Sequence, residues 1–439
     1  MVAAIAATEG RAVATIDFPG AFLHSEIPDD DKPVLMRLNK FETKVLIAID
    51  PSFKQYVLKN GTCVVKLKRA LYGCVESARL WYEKLSGDLE SVGFTKNKHD
   101  MCVFNRIEEN GKQSMLVIHV DDVLVTACSE AVIDKIIDDI CRMYKSLSVH
   151  RGRVLDYLGM TFDYSTIGKC KVTMKQYVSD LLEFCKDIEG TAKTPASDSL
   201  FQVEDNGEIL SSAEKKFFHS VTAKILYLAK RVRPDLLTAI SFLTKRITAP
   251  YISDLRKFER LVRYIRGTQE LGIVLEGSKQ ISVLGYVDAS YGVHSDYKSH
   301  TGTIIGIGKG SIYAKSSGQK LNTKSSTEAE LVGLSDSTAQ IIWVRNFLID
   351  QGYNMEPATI YQDNQSTIKL VKNGKSTSDR TRHIAIRFFF IADKVASKEI
   401  KVEYMATGDM IADILTKPLQ GQLFLKLREK LLNWPSGDS

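Results

Sequence analysis

Two adjacent carboxylates, Asp121 and Asp122, stand between the apolar runs MLVIHV and VLVTA. Runs this rich in Val, Ile and Leu read as two short buried strands joined by a tight turn. A bare carboxylate beside a buried strand is costly, and a cation on the pair removes the cost. Magnesium takes oxygen ligands and commonly links protein carboxylates to substrate phosphates, so the pair points to phosphoryl-transfer chemistry. A solvated hairpin turn is the competing reading, because Asp is common in turns. A third acid, Asp17, ends the apolar run AVATID, and Pro19 and Gly20 after it break that strand. One acid at a strand end and two at a hairpin form a trio suited to two cations. In nucleotidyl transfer such cations lie roughly 4 Å apart and serve the attacking and leaving oxygens. Phe22 follows closely in the same segment, FPGAF. Between the acids, KLKRALYGCVESARLWYEKL at 66–85 mixes cations with aromatics. Such mixtures suit backbone phosphates and base stacking, although an amphipathic surface helix would be equally basic.

A second set of acids occupies the last third. Asp288 ends an alternating strand in ISVLGYVDASYG, and Asp363 ends ATIYQD before a polar turn into a helix. Between them, SSTEAELVGLSDSTAQIIWVRNFL opens with Ser and Thr and then runs apolar at helical spacing, which predicts a capped helix. Glu328 and Glu330 fall in its first turns and point different ways, since residues two apart do not share a helix face. Asp413 sits in GDMIADILTKPL, read as a short helix stopped by Pro418. Each acid has a plainer role open to it. Asp363 suits a helix N-cap, Asp413 a solvated helix position, and Glu328 the positive end of the helix dipole.

Acids this far apart in the chain meet only if their elements lie side by side. The order strand, strand, strand, helix, strand, helix, helix, strand, helix predicts a mixed sheet with helices packed on it.

The segments IDFPGAFL, KRALYGCVESARLWY and HVDDVLV, in that order, resemble the reverse transcriptase of Copia-type LTR retrotransposons. YLGMTFDY, TMKQYVSDLLEF, AKILYLAKRVRPDLLTAISFLTKRI and RYIRGT extend the resemblance over essentially the whole chain. It implies a multidomain α/β and α+β protein. Residues 1–195 would be a polymerase palm-like α+β domain lacking most of the fingers. Residues 196–276 would be a helical thumb or connection, and 277–439 a ribonuclease H-like mixed-sheet α/β domain. Asp17, Asp121 and Asp122 then become catalytic metal ligands. Phe22 matches the aromatic placed under the sugar of an incoming deoxynucleoside triphosphate, where it would exclude a 2′-hydroxyl. Asp288, Glu330, Asp363 and Asp413 match the four metal-binding acids of ribonuclease H, with Glu330 preferred to Glu328 because of the EAEL pattern. Each site would use two Mg2+ or Mn2+ ions. The implied partners are an RNA template, a DNA primer and an RNA–DNA hybrid whose RNA strand is hydrolysed. A catalytically inactive, nucleic-acid-binding remnant of a retrotransposon is the alternative.

The chain departs from the family pattern at several points. His119 stands where the family has an aromatic, and Phe18-Pro19-Gly20 replaces a Val-Lys-type pair after Asp17. A start at MVAAIAATEG leaves out the fingers and their triphosphate-gripping cations, so nucleotide should be held poorly. His383, in the family's RTxHI segment, reads as structural or substrate-contacting rather than as a general base, and Ala385 replaces an acidic residue two positions on.

The chain has 439 residues, 44% of them hydrophobic, with a net charge of +6. That length predicts two or three domains with real cores. From Lys224 to Arg266 there are eleven Lys or Arg and three Asp or Glu. Arg256, Lys257, Arg260 and Arg263 recur at helical spacing and form either a phosphate-tracking stripe or a solvated face. The polar, turn-rich stretch 196–214 is the best linker, with a second break near Glu276–Ser278. Seven scattered cysteines make no CxxC pair and no zinc-finger spacing, so disulfides are not implied and a reducing compartment is expected. No run of about 20 apolar residues predicts a membrane span. The N-terminal AAIAA is too short for a signal peptide. The expected location is the cytoplasm or a retrotransposon particle, and the sequence leaves the oligomeric state open.

Overall fold

The computed structural model describes residues 1–28, 33–204, 207–278, 280–373 and 385–434. His383 and the RTxHI segment lie outside the described residues.

The described residues form three large sheets and a two-stranded ribbon, Leu35–Leu38 with Cys63–Lys66. The first has six antiparallel strands, in the spatial order Thr95–Lys96, Val103–Ile107, Gln113–His119, Asp122–Ala127, Ala12–Asp17 and Ser148–Arg151. Its central strands are apolar on both faces because both faces are covered. Ile16, Leu116, Ile118, Val123 and Val125 pack with Trp81, Leu85, Ile133 and Ile136 from the helices Ser77–Ser91 and Glu130–Cys141. Val13, Met115 and Leu124 face the other way, into a second core. A strand buried on both faces reads as a continuous apolar run rather than an alternation, which accounts for MLVIHV and VLVTA.

The second sheet has five antiparallel strands, in the order Gly308–Lys309, Ile273–Gly277, Lys169–Thr173, Met160–Asp163 and Val154–Tyr157. The segment AAIAA lies on it, within the helix Val2–Glu9, whose Val2 to Ala7 are all buried. The approach is close: a side chain on Gly277 would begin 1.6 Å from the Thr8 hydroxyl. Only a residue without a Cβ fits there.

The third sheet is mixed. Its order is Tyr313–Gly318, His300–Gly306, Leu284–Ser290, Ala358–Gln362 and Ile400–Tyr404. The first three strands pair antiparallel, and the last two are added parallel. Parallel pairing needs long crossovers. The helix Ser326–Asp350 supplies one, and Gln365–Asn373 with Ala385–Ala396 supplies the other. The side chain of Ser325 caps the 25-residue helix by accepting from Glu328 N. The sheet-with-helices expectation therefore holds for this part of the chain.

The helices Ser212–Arg231, Leu237–Thr244 and Ile252–Arg266 pack on one another, and Leu237–Thr244 also packs on the edge strand Tyr313–Gly318 of the third sheet. One apolar core runs through them from Val2 to Trp434. That core and the second sheet cross the expected boundaries at 195/196 and 276/277. Ile273–Gly277 pairs back to Lys169–Thr173 on one side and on to Gly308–Lys309 on the other. Among the described residues, no helix is long and apolar enough to cross a membrane. All seven cysteines are free.

Candidate functional site

The first group of acids is assembled by strand register. Asp17 lies opposite Asp122 in the ladder between Ala12–Asp17 and Asp122–Ala127. Asp122 also lies opposite His119, which leaves Val120 and Asp121 as a two-residue loop. Such a loop needs a positive φ at its first position, where Gly is the usual occupant. Here Val120 takes φ 59°. A β-branched residue held there stores on the order of 1–3 kcal/mol and persists only when its surroundings hold it. The Trp81 indole supplies the hold by donating to the Val120 carbonyl at 2.6 Å. Phe18 rests edge-on against Trp81 and Tyr144, with ring centroids 5.3 and 5.0 Å away. The departure Phe18-Pro19-Gly20 thus puts a buried aromatic and then a left-handed glycine, φ 66°, between Asp17 and the turn carrying Phe22.

Tyr72 was not singled out by sequence reasoning. Its hydroxyl donates to Asp121 Oδ2 at 2.8 Å, and its ring lies 4.3 Å from that of Phe22. Partial burial and then the Asp121 hydrogen bond push its phenol up to about 12. The only sequence signal was an aromatic among cations in KRALYG. The Asp122 carboxyl is raised by burial and by its neighbours Asp121 and Asp17.

The second group gathers at one end of the mixed sheet. Asp288 comes from the central strand, Asp363 follows the end of the neighbouring parallel strand, and Asp413 lies in the short 3-10 turn Ile411–Leu415. Asp288 and Asp413 are buried. One carboxylate oxygen from each of the three lies within 4.8 Å of the others. Among the described residues, this is the one set of three or more metal-ligating side chains to meet that span, so Asp17, Asp121 and Asp122 are spread more widely. Glu330 stands beside the set. Gln362 Nε2 donates to its Oε2 at 3.1 Å, and burial followed by the charges of Asp288 and Asp363 pushes it up to about 9. Glu328 is directed elsewhere and accepts from Lys324 N at 2.8 Å. Asp413 is pushed up to about 7 by burial and then by Asp288. Asp288 is raised mainly by its burial.

Hydroxyls and one ammonium hold these acids. Thr416 Oγ1 donates to Asp288 Oδ2, and Thr407 Oγ1 to Asp363 Oδ2 at 2.8 Å. Lys417 Nζ lies 2.9 Å from Asp413 Oδ1 and 3.5 Å from Asp288 Oδ2. Neither Thr416 nor Lys417 stood out in the sequence, since both sit in TKPL where a helix stop was the visible signal. Converging, desolvated carboxylates make an all-oxygen donor set that fits a hard divalent cation such as Mg2+ or Mn2+.

The basic stripe is largely committed within the protein. Lys257 donates to the Gln202 carbonyl and lies over the Phe242 ring at 4.7 Å. Arg260 donates to Thr194 Oγ1 at 2.7 Å, and Arg263 to the Glu189 carbonyl at 2.9 Å. Arg256 is the exposed member.

Residues 1–196 match the family model described as reverse transcriptase (RNA-dependent DNA polymerase). Over 98% of its length the chain is 29% identical to the retrovirus-related Pol polyprotein from transposon RE1 of Arabidopsis thaliana, covering 28% of that protein. It is 27% identical to the corresponding polyprotein from transposon TNT 1-94 of Nicotiana tabacum, again over 98% of the chain and 31% of the relative. A truncated transposon Ty1-A Gag-Pol polyprotein of Saccharomyces cerevisiae matches 84% of the chain at 26% identity, over 32% of its own length. The chain therefore spans only about a third of the curated relatives it matches. Among solved structures, the prototype foamy virus protease-reverse transcriptase covers 92% of the chain and 67% of its own at 12% identity and TM-score 0.25. LC11-RNase H1 covers 31% of the chain and 93% of its own at 12% identity and TM-score 0.25. TM-scores this low do not establish a shared fold.

Proposed function

We propose that this chain, a Copia-type retrotransposon Pol fragment, is a two-site nucleic-acid enzyme. In this reading the Asp17, Asp121 and Asp122 cluster serves RNA-directed DNA synthesis. The Asp288, Glu330, Asp363 and Asp413 cluster hydrolyses the RNA strand of an RNA–DNA hybrid. The six-stranded sheet is then the palm, the helices of 196–276 a thumb or connection, and residues 277–439 a ribonuclease H-like unit.

One observation carries the second half of the reading: three carboxylates from three separate elements bring their oxygens within 4.8 Å of one another. Burying acids this close is unfavourable unless something positive sits among them. Asp288, Asp363, Asp413 and Glu330 would hold two Mg2+ or Mn2+ ions. Bound there, such ions activate water and stabilise charge on a departing oxygen. Gln362 orients Glu330 through its amide. Burial and the charges of Asp288 and Asp363 push the Glu330 carboxyl up to about 9, a cost that a cation among these acids would relieve. Thr416 and Thr407 fix the rotamers of Asp288 and Asp363.

At the first cluster, Phe22 would lie under the sugar of a deoxynucleoside triphosphate, with Tyr72 behind it. Template, primer and hybrid would meet the exposed Arg256, while Lys257, Arg260 and Arg263 hold residues of the 189–202 segment. The setting is the cytoplasm or a retrotransposon particle. A narrower reading applies to the first cluster alone. Asp121 Oδ2 already accepts from Tyr72, and the trio is wider than the second set. These facts favour a palm that survives as a scaffold.

The test is cleavage of a labelled RNA–DNA hybrid by the full chain in Mg2+. Asp288→Asn and Asp363→Asn are expected to abolish cleavage with the circular dichroism spectrum unchanged. Wild-type cleavage by either variant overturns the assignment. Primer extension on an RNA template, compared with Asp121→Asn, separates a working palm from a scaffold.

A further inference from the structure

Among the described residues, Lys417 is the cation that lies against the acids of the second cluster. Its position is set by the backbone: Lys417 N donates to the Asp413 carbonyl at 2.9 Å, and Pro418 ends the turn immediately after. The ammonium bridges two of the three clustered carboxylates, at 2.9 Å from Asp413 and 3.5 Å from Asp288. The oxygen it meets on Asp288 is the one that also takes the Thr416 hydroxyl. The Lys417 side chain remains 37% exposed, whereas those of Asp288 and Asp413 are 2% and 4% exposed. The amine thus enters from the rim on a flexible stem, while the acids it neutralises stay fixed. Lysine is a compact point charge on a mobile four-carbon chain, without the rigid fork that would lock an arginine in place.

We propose that Lys417 is a placeholder cation: its ammonium holds Asp288 and Asp413 together until a divalent ion takes their oxygens, and it then withdraws along the rim. The proposal rests on the reading of these acids as a metal site. Lys417 therefore competes with the metal while supporting the metal-free fold. A residue with a purely structural role would lower metal affinity when removed, because the ligands would lose their arrangement. A competitor would raise it.

The experiment is Mn2+ binding by the full chain without nucleic acid, followed by electron paramagnetic resonance and calorimetry, alongside thermal melting. Asp288→Asn identifies the bound Mn2+ belonging to this cluster as the part it removes. For that part, Lys417→Met should bind several-fold more tightly than wild type. Its metal-free melting temperature should fall, with the gap narrowing at saturating Mg2+. Lys417→Arg, which keeps the charge, should bind like wild type or more weakly. If Lys417→Met fails to fold, Lys417→Gln takes its place in the same comparison. Unchanged or weaker Mn2+ binding in the neutral variant overturns the placeholder role while leaving the metal site standing. If Asp288→Asn removes no Mn2+, the site reading fails and the placeholder falls with it.

Discussion

The indole N–H of Trp81 reaches the carbonyl of Val120, the β-branched residue held at φ 59° between His119 and Asp121. Trp81→Phe keeps much of the aromatic packing and removes that donor. It should cost about 0.5–1.5 kcal/mol in urea unfolding, the net worth of one hydrogen bond whose carbonyl can turn to water. Amide exchange at Asp121 and Asp122 should accelerate; unchanged protection would show that the loop holds itself. A second residue-scale effect concerns acid. His294 and His300 are buried, linked at 2.9 Å, and pushed by burial down to about 4 and about 3 from 6.5. Lys245, Asp296 and Lys298 are the charges around them. The fold favours their neutral forms, so the unfolded chain binds protons first. Their contribution is complete above about pH 6.5 and is lost as pH falls toward the folded values. Urea midpoints should drop between pH 6.5 and 4. His300→Gln should flatten that slope, and an equal slope in the variant would remove these histidines as its cause. Asp17, Asp121, Asp288 and Asp363 were legible because each ends an apolar run, a local signal, whereas Glu330 was picked out by the EAEL pattern. Tyr72, Thr416 and Lys417 were not, because their roles depend on neighbours brought in by the fold.

The helical segment shows how charge patterns mislead at the scale of an element. Arg233 and Asp235 in KRVRPDLL look like surface charges, yet both are fully buried. They form a two-pronged pair, with contacts of 2.9 and 2.8 Å. Tyr264 donates to Asp235, and Arg233 also donates to the Thr268 carbonyl. Removing one partner strands the other, so Arg233→Met should cost about 3–5 kcal/mol. Replacing the pair with Met and Leu should recover much of that loss. Chemical denaturation of the two variants decides, and an Arg233→Met chain as stable as wild type would show that the pair does not hold this helical layer. The stripe Arg256, Lys257, Arg260 and Arg263 is a related case. Helical spacing located one face of Ile252–Arg266 correctly, but periodicity cannot reveal that residues 189–202 lie across it.

At the scale of the molecule, the strand Ile273–Gly277 and the N-terminal helix join parts of the chain that composition separates. Residues 277–439 expressed alone would lose the strand neighbour of Gly308–Lys309 and expose their share of the common core. That piece should be aggregation-prone and melt without cooperativity, whereas the full chain should unfold in a cooperative transition that includes both halves. A soluble, sharply melting 277–439 fragment would contradict this. The polar stretch at 196–214 invited a boundary in the sequence, because a linker and a surface loop over a shared core have the same composition. Pairing across a hundred residues leaves no local trace.

The long helix bearing Glu330 near its start meets the first sheet at its other end. Asn97 and Trp343 bond to the Phe347 and His99 carbonyls, Lys98 N to Asp350, and Gln113 to the Gln351 carbonyl. Gln113 begins the strand that runs to His119, beside the paired aspartates. A 25-residue helix is about 38 Å long, and here it ties the first sheet to the turn that carries Glu330. Inserting one turn, about 5.4 Å, would push the Glu330 end away from the strand that leads to Asp121, so the two groups of acids are coupled in position through one rigid element.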